Sequence, residues 1–262
     1  MPPTRTGRRE APPSSSTPPG SAGADGPGAL VRALARVHPG VRTVAAQIVD
    51  HAAAWRAHNA ATLARTPAEV PLWLALGDST AQGVGAAGVD GGWVAQLAAG
   101  LRGREPDADT AVPVPALVNL STSGARLRDV LDDQLPRAAA LGRPLALVTC
   151  TIGSNDLLRA VNPARTPAHA RAVVRALGRL GATTTVVATV PHAPMSYQGR
   201  RLNAAIRDEA ARCEVHVADV SGALRSWRGR PGPDHFHPNE AGYAVYAAAF
   251  RRALTTAGCV TP

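Results

Sequence analysis

Four short, widely separated stretches hold residues that could do chemistry together. They are Gly77-Asp78-Ser79-Thr80 with Gly83 four positions past the serine, Ser121-Thr122-Ser123-Gly124-Ala125, Gly153-Ser154-Asn155-Asp156, and Asp234-His235-Phe236-His237-Pro238-Asn239. A serine hydroxyl attacks a carbonyl only when a neighbouring base takes its proton. Asp234 and His237, three apart, can supply that base, the carboxylate holding one imidazole nitrogen while the other faces Ser79. His235 is the competing imidazole; adjacent side chains tend to diverge, so the three-residue spacing favours His237. Attack places negative charge on the carbonyl oxygen, and donors fixed around that oxygen are usually the largest catalytic contribution. Three donors are on offer: the backbone N–H of Ser79, that of Gly124, where the missing Cβ lets substrate come close, and the side-chain amide of Asn155. Together these residues imply acyl transfer from an ester or thioester through an acyl-serine.

Such groups need a scaffold that gathers them. From Leu72 onward, short apolar runs alternate with longer helical stretches, the βαβ rhythm of a parallel sheet. Strands are predicted over Leu72–Leu76, Val114–Leu120, Leu145–Ile152, Thr184–Val190 and Val215–Val217, and helices near 92–102, 125–141, 167–180, 199–212 and 239–256. Thr166 before Pro167 reads as an N-cap hydroxyl followed by proline at the first helical position. Five strands with right-handed crossovers give an α/β fold, a three-layer α/β/α sandwich. In such sheets ligands bind beyond the carboxyl ends of the strands, which is where the four stretches fall.

Order and approximate spacing of these blocks resemble the GDSL or SGNH hydrolase family. Gly77-Asp78-Ser79 with Gly83, Gly124, Gly153-Ser154-Asn155-Asp156, and Asp234 to His237 followed by Pro238 stand where that family has its serine, glycine, asparagine and D-x-x-H blocks. The first block reads Gly-Asp-Ser-Thr rather than Gly-Asp-Ser-Leu, which leaves the nucleophile untouched. The resemblance covers about residues 72–257. It implies a flavodoxin-like sheet in the order 2-1-3-4-5, a triad of Ser79, Asp234 and His237, an oxyanion hole of Ser79, Gly124 and Asn155, and no metal or organic cofactor. It implies esterase, thioesterase or related acylhydrolase activity and fixes reaction type better than substrate. An acyltransferase would use the same residues.

Composition bounds the remainder. Hydrophobic residues make up 45% of the chain and aromatics 3%, so the core must be built mainly of Ala, Val and Leu. All 28 basic residues are Arg, which excludes a Walker A loop with its required Lys. The formal charge of +9 is spread along the chain, with no arginine run longer than two, and reads as a solvated surface without a nucleic-acid motif. Cys150, Cys213 and Cys259 lack zinc or disulfide spacing, and no metal site is expected. Residues 1–28, with seven prolines and a triple serine, read as a disordered tail. Residues 29–66 read as a helical extension of two helices broken at Pro39-Gly40, and 67–262 as the hydrolase domain. No apolar run approaches a membrane span and the N-terminus lacks an apolar signal region, so a cytoplasmic location is expected.

Other residues carry weaker readings. His192, Met195 and Tyr197, following the fourth strand, are possible substrate-pocket residues, and Asp156 could orient the site or cap a turn. Gly83, Gly85 and Gly88 match G-x-G-x-x-G, with Asp107 and Asp109 about 20 residues on, which raises a dinucleotide-binding alternative. Its context is poor, because five residues separate Gly77 from that run and more loop follows it. The expected partner is a small acyl ester or thioester, with no nucleic acid.

Overall fold

The computed structural model describes residues 26–102, 114–158, 164–191 and 197–259. Expectations resting on residues 1–25, on Asp107 and Asp109, and on His192 and Met195 lie outside them. The helical stretch before the sheet forms α1 (Ala29–Leu34) and α2 (Pro39–Arg65). The sheet strands are β1 (Leu72–Gly77), β2 (Ala116–Asn119), β3 (Leu145–Thr151), β4 (Thr184–Ala188) and β5 (His216–Ala218), all parallel, in the order β2-β1-β3-β4-β5. Three strands are shorter than the apolar runs predict. Val114 and Val190 are apolar but lie outside the paired residues, and Leu120 follows β2 with one N–H bond to the Ala75 carbonyl at 2.8 Å, so hydrophobicity overruns the strands.

Between the strands run α3 (Ser79–Gln82), α4 (Trp93–Arg102), α5 (Leu127–Asp129), a π turn (Val130–Gln134), α6 (Leu135–Ala140), α7 (Ser154–Leu158), α8 (Thr166–Gly178), α9 (Tyr197–Arg212), α10 (Val220–Ala223) and α11 (Glu240–Thr256). Thr166 is itself the first helical residue, and the cap falls one earlier on Arg165 without a side-chain bond. Its hydroxyl-bearing side chain is buried rather than turned to the helix end.

Alternation along each strand sends side chains to opposite faces. Leu72, Leu74, Leu76, Val118, Val148 and Val187 join one core with residues of α8 and α9. Trp73, Ala75, Leu117, Leu147 and Val186 join the other with Trp55 of α2 and residues of α4 and α11. Trp93 and Phe250 stack with centroids 4.1 Å apart and planes 4° from parallel, locking α4 to α11. The first core is aliphatic, as the composition predicts, whereas the second gathers Trp55, Trp73, Trp93, Tyr243, Tyr246 and Phe250, so the few aromatics of the chain are concentrated on one face of the sheet. No helix among the described residues is long and apolar enough to cross a membrane.

β2 is a sheet edge, and α2 lies against it. Asn59 donates its side-chain N–H to the carbonyl of Asn119 at 2.7 Å and accepts the Asn119 N–H at 2.8 Å, and His58 Nε2 meets the carbonyl of Leu117 at 3.1 Å. Backbone groups that would face outward are therefore paired, which removes an open edge. Asn59→Ala should destabilise the fold by about 1–3 kcal/mol, the cost of two partly buried groups losing their partner. Thermal unfolding should show a midpoint lower by several degrees; an unchanged midpoint would mean that α2 does not hold this edge.

Candidate active site

The serine turn follows from local chemistry. β1 ends at Gly77, whose φ of +134° and approach to the Thr151 carbonyl leave no room for a side chain. Asp78 then caps α3, its Oδ1 accepting the N–H of Thr80 at 2.9 Å and the Thr80 hydroxyl at 2.8 Å. Ser79 is consequently the first residue of α3, where an N–H has no intrahelical acceptor. Below the turn, fully buried Gln134 closes the π turn and pins both backbone groups of Gly77, accepting its N–H at 2.8 Å and donating to its carbonyl at 2.7 Å. π turns in helices often mark functional positions.

Across from Ser79, the loop before α11 folds on Asp234. Its Oδ1 accepts the N–H groups of Phe236 and His237 at 3.0 and 2.9 Å, and its Oδ2 lies 2.7 Å from His237 Nδ1. A carboxylate only accepts, so Nδ1 carries the proton and Nε2 is left as an acceptor. Nε2 stands 2.9 Å from Ser79 Oγ. His235 takes φ of +58° and is exposed, its ring set edge-on to that of His38 with centroids 6.4 Å apart. The three-residue spacing brings His237 to the serine, and His235 turns away.

The two further donors lie on a third wall. Gly124 adopts φ of +80° with open space where a Cβ would stand, and its N–H has no partner among the described residues. Buried Asn155, near the start of α7, donates one N–H to the carbonyl of Ala125 at 2.9 Å, which leaves its second N–H uncommitted. Asp156 accepts the N–H of Leu127 at 3.0 Å and so anchors the helix that follows the Gly124 turn. Beside Ser79, Asn155 and His237 runs a small cleft walled by Trp227, Phe236 and Tyr246. Of these aromatics only Phe236 lies within one of the motifs, between Asp234 and His237, whereas Trp227 and Tyr246 carry no local signal in the sequence. Tyr197 opens α9 and is 62% exposed, with the Arg201 guanidinium 5.6 Å from its ring centre, and it does not line this cleft.

Gly83 and Gly85 of the dinucleotide-like run are occupied by the protein's own backbone. A Cβ on Gly83 would stand 2.9 Å from the Cα of Gly92, and one on Gly85 would stand 2.4 Å from the Pro238 carbonyl and 2.6 Å from His237 Cβ. Close approach is what these glycines serve, Gly83 to the backbone of Gly92 and Gly85 to the loop that carries His237.

Electrostatics separate the carboxylates. Burial raises Asp234, but the hydrogen bond and charge of His237 and the two backbone N–H donors outweigh it and hold the carboxyl below its usual range. Asp234 therefore stays ionised and adds stability that is lost as pH falls through its depressed value. Asp78 goes the other way: complete burial pushes it up to about 6, against the pull of its Thr80 hydrogen bonds and the nearby His237.

Residues 75–245 match the profile described as the GDSL-like Lipase/Acylhydrolase family. Among solved structures, TesA is similar at 24% identity and a TM-score of 0.57, over 71% of this chain and 98% of that one. LAE5, an α/β hydrolase from the metagenome of Lake Arreo, Spain, is similar at 25% identity and a TM-score of 0.54, over 75% and 99%. Axe2, an acetylxylan esterase from Geobacillus stearothermophilus, is similar at 21% and 0.55, over 71% and 94%. The likeness to TesA and Axe2 is one of fold. No curated protein sequence matches the chain.

The raised Asp78 makes a pH prediction. A carboxyl whose folded value exceeds its unfolded one binds protons more tightly when folded, so stability falls as pH rises between the two values. From the ordinary 3.8 to about 6 the ionised form costs on the order of 3 kcal/mol. Asp78→Asn, which can still cap α3, should flatten the loss of thermal stability between pH 4 and pH 7 relative to the wild type. Parallel curves for the two proteins would refute this assignment.

Proposed function

The chain belongs to the GDSL-like lipase/acylhydrolase family and is a carboxylic ester hydrolase, and we propose that Ser79, His237 and Asp234 carry its chemistry. The observation that supports this reading is the continuous line from Asp234 Oδ2 through the His237 ring to Ser79 Oγ, at 2.7 and 2.9 Å. His237 Nε2 takes the proton of Ser79 as Oγ attacks the ester carbonyl. The N–H groups of Ser79 and Gly124 and the free N–H of Asn155 hold the resulting oxyanion. Asp234 stabilises the imidazolium and keeps its tautomer fixed. The intermediate then expels the alcohol, which receives the proton from His237, and leaves an acyl-serine. Water, deprotonated by the same imidazole, attacks the acyl group and restores the enzyme. An alcohol in place of water makes the same site an acyltransferase, and product analysis with added acceptors distinguishes the two.

The small aromatic cleft favours short acyl groups. Among nitrophenyl esters, acetyl and propionyl substrates should be turned over faster than octanoyl ones, and Trp227→Ala, which removes one wall, should shift the optimum to longer chains. An optimum at eight carbons or more in the wild type would place the acyl group elsewhere.

Fluorophosphonate labelling tests the nucleophile and base directly. Label should map to Ser79 and be lost in His237→Ala; Ser79→Ala and His237→Ala should abolish ester turnover, and Asn155→Ala should lower kcat by about 10²–10³. His235→Ala should leave turnover within a factor of about two, since its ring faces His38 rather than Ser79. The reverse ranking of the two histidines would overturn the assignment.

A further inference from the structure

The match to the family begins at residue 75, yet α2, which precedes it, supplies hydrogen bonds to the loops behind the site. Gln47 is buried in the third turn of this helix. Its side-chain Oε1 accepts the N–H of Gly85 at 3.0 Å, and its Nε2 donates to the carbonyl of Ala86 at 2.7 Å. One amide thus holds two successive residues of a loop that has no regular structure of its own beyond a single bridge between Val84 and Ala86.

The far side of that loop is the wall against which His237 rests. Gly85 approaches so closely that a methyl group on it would overlap His237 Cβ and the Pro238 carbonyl. Gly232, on the strand of loop leading to Asp234, is pressed against the Gly85 carbonyl, and a Cβ there would stand 2.7 Å from it. The Gly232 N–H in turn donates to the His237 carbonyl at 2.6 Å. Gly85 therefore sits between Gln47 and the turn that presents the imidazole. A shift of the Gly85 backbone displaces His237 with no soft side chain between them to absorb it. α2 touches the same turn a second time, where Gly40 at its first turn lies against the Pro233 carbonyl, again closer than any side chain allows.

We propose that Gln47 is a positioning residue for His237, and that α2 is thereby part of the catalytic apparatus. The inference rests on the reading of Ser79 as nucleophile and His237 as base. A serine-imidazole pair is sensitive to such support because misplacement of reacting groups by about 1 Å can cost about 10²-fold in rate. A glutamine that only held the fold would, when removed, lower stability and leave the rate per folded molecule unchanged.

The test separates those outcomes. Gln47→Ala removes both hydrogen bonds, and Gln47→Met removes them while keeping the volume, so that at least one variant should fold. Arg175→Ala serves as the control. It breaks a 2.7 Å ion pair to buried Glu209 between α8 and α9, on the opposite face of the sheet from α4 and α11, and should cost stability without touching kcat. For Gln47→Met, kcat on a short-chain nitrophenyl ester should fall about tenfold or more with KM within about twofold, and the rate of fluorophosphonate labelling at Ser79 should fall in parallel. Gln47→Glu keeps the acceptor for Gly85 and should recover part of the rate. A Gln47→Met enzyme with unchanged kcat and labelling rate, whatever its melting temperature, would overturn the proposal. If Ser79 of the wild type takes no label at all, the triad reading fails first and this inference falls with it; normal wild-type labelling with an unaffected Gln47→Met overturns the inference alone.

Discussion

The 2.9 Å approach of His237 Nε2 to Ser79 Oγ joins residues 158 positions apart, and much of the surrounding structure exists to hold it. Neither group is on a long element. Ser79 starts a helix of four residues and His237 sits in a loop, so neither position can inherit rigidity from a helix or strand alone. Rigidity comes instead from backbone pressed on backbone. Gly77 lies against Thr151, Gly85 against His237 and Pro238, and Gly232 against Gly85. Van der Waals contact between main chains leaves little freedom, because no rotamer change can relieve a displacement.

The same crowding brings polar groups out of water, and the structure satisfies them with side-chain amides. Gln134 holds Gly77, Gln47 holds Gly85 and Ala86, and Gln82 donates to the carbonyl of Ser121 while accepting the Ser123 hydroxyl. Each amide presents a donor and an acceptor together, so it can pair both backbone groups of an irregular loop where no strand is present to do so. An unpaired buried backbone group costs about 1–3 kcal/mol, which makes these glutamines economical devices for building loops at a sheet edge. The cost appears at Asp78, whose burial raises it to about 6; its acceptor role as the cap of α3 is retained in either protonation state.

The sheet and the chemical residues are legible in the sequence because each leaves a local mark. Fully apolar β1 with its alternation into two cores, the glycine-acid-serine turn, and the three-residue step from Asp234 to His237 are all defined by neighbours in the chain. The amides leave no such mark. Gln47 and Gln82 have the spacing of ordinary helical polar residues, and their partners are backbone atoms 38 or 39 positions away. The cleft aromatics Trp227 and Tyr246 likewise meet the site only through tertiary packing. Gly83 and Gly85 were legible as close-approach glycines but ambiguous as to what approaches. A pattern of glycines specifies absence of a side chain, and a pyrophosphate and a neighbouring loop make the same demand.

The position of α2 relative to the family match has a physical consequence for where the unit of packing begins. β2 is an edge strand, and its outward backbone is paired by Asn59 and His58. At the C-terminal end of α3 the Gln82 carbonyl is bonded by both His51 Nδ1 and Trp55 Nε1 at 3.2 Å. Nearer the start of the helix Val44 and Ile48 enclose Val84 in a small core of their own. Polar residues at 47, 51, 55, 58 and 59 follow the three-to-four-residue period of one helical face, and each partner lies at the carboxyl edge of the sheet or on its outer strand. A surface helix usually buries an apolar stripe and leaves its polar residues in water. Here the buried face is itself lined with hydrogen-bonding groups, since what it covers is the outer edge of β2 and irregular backbone rather than the flank of another helix.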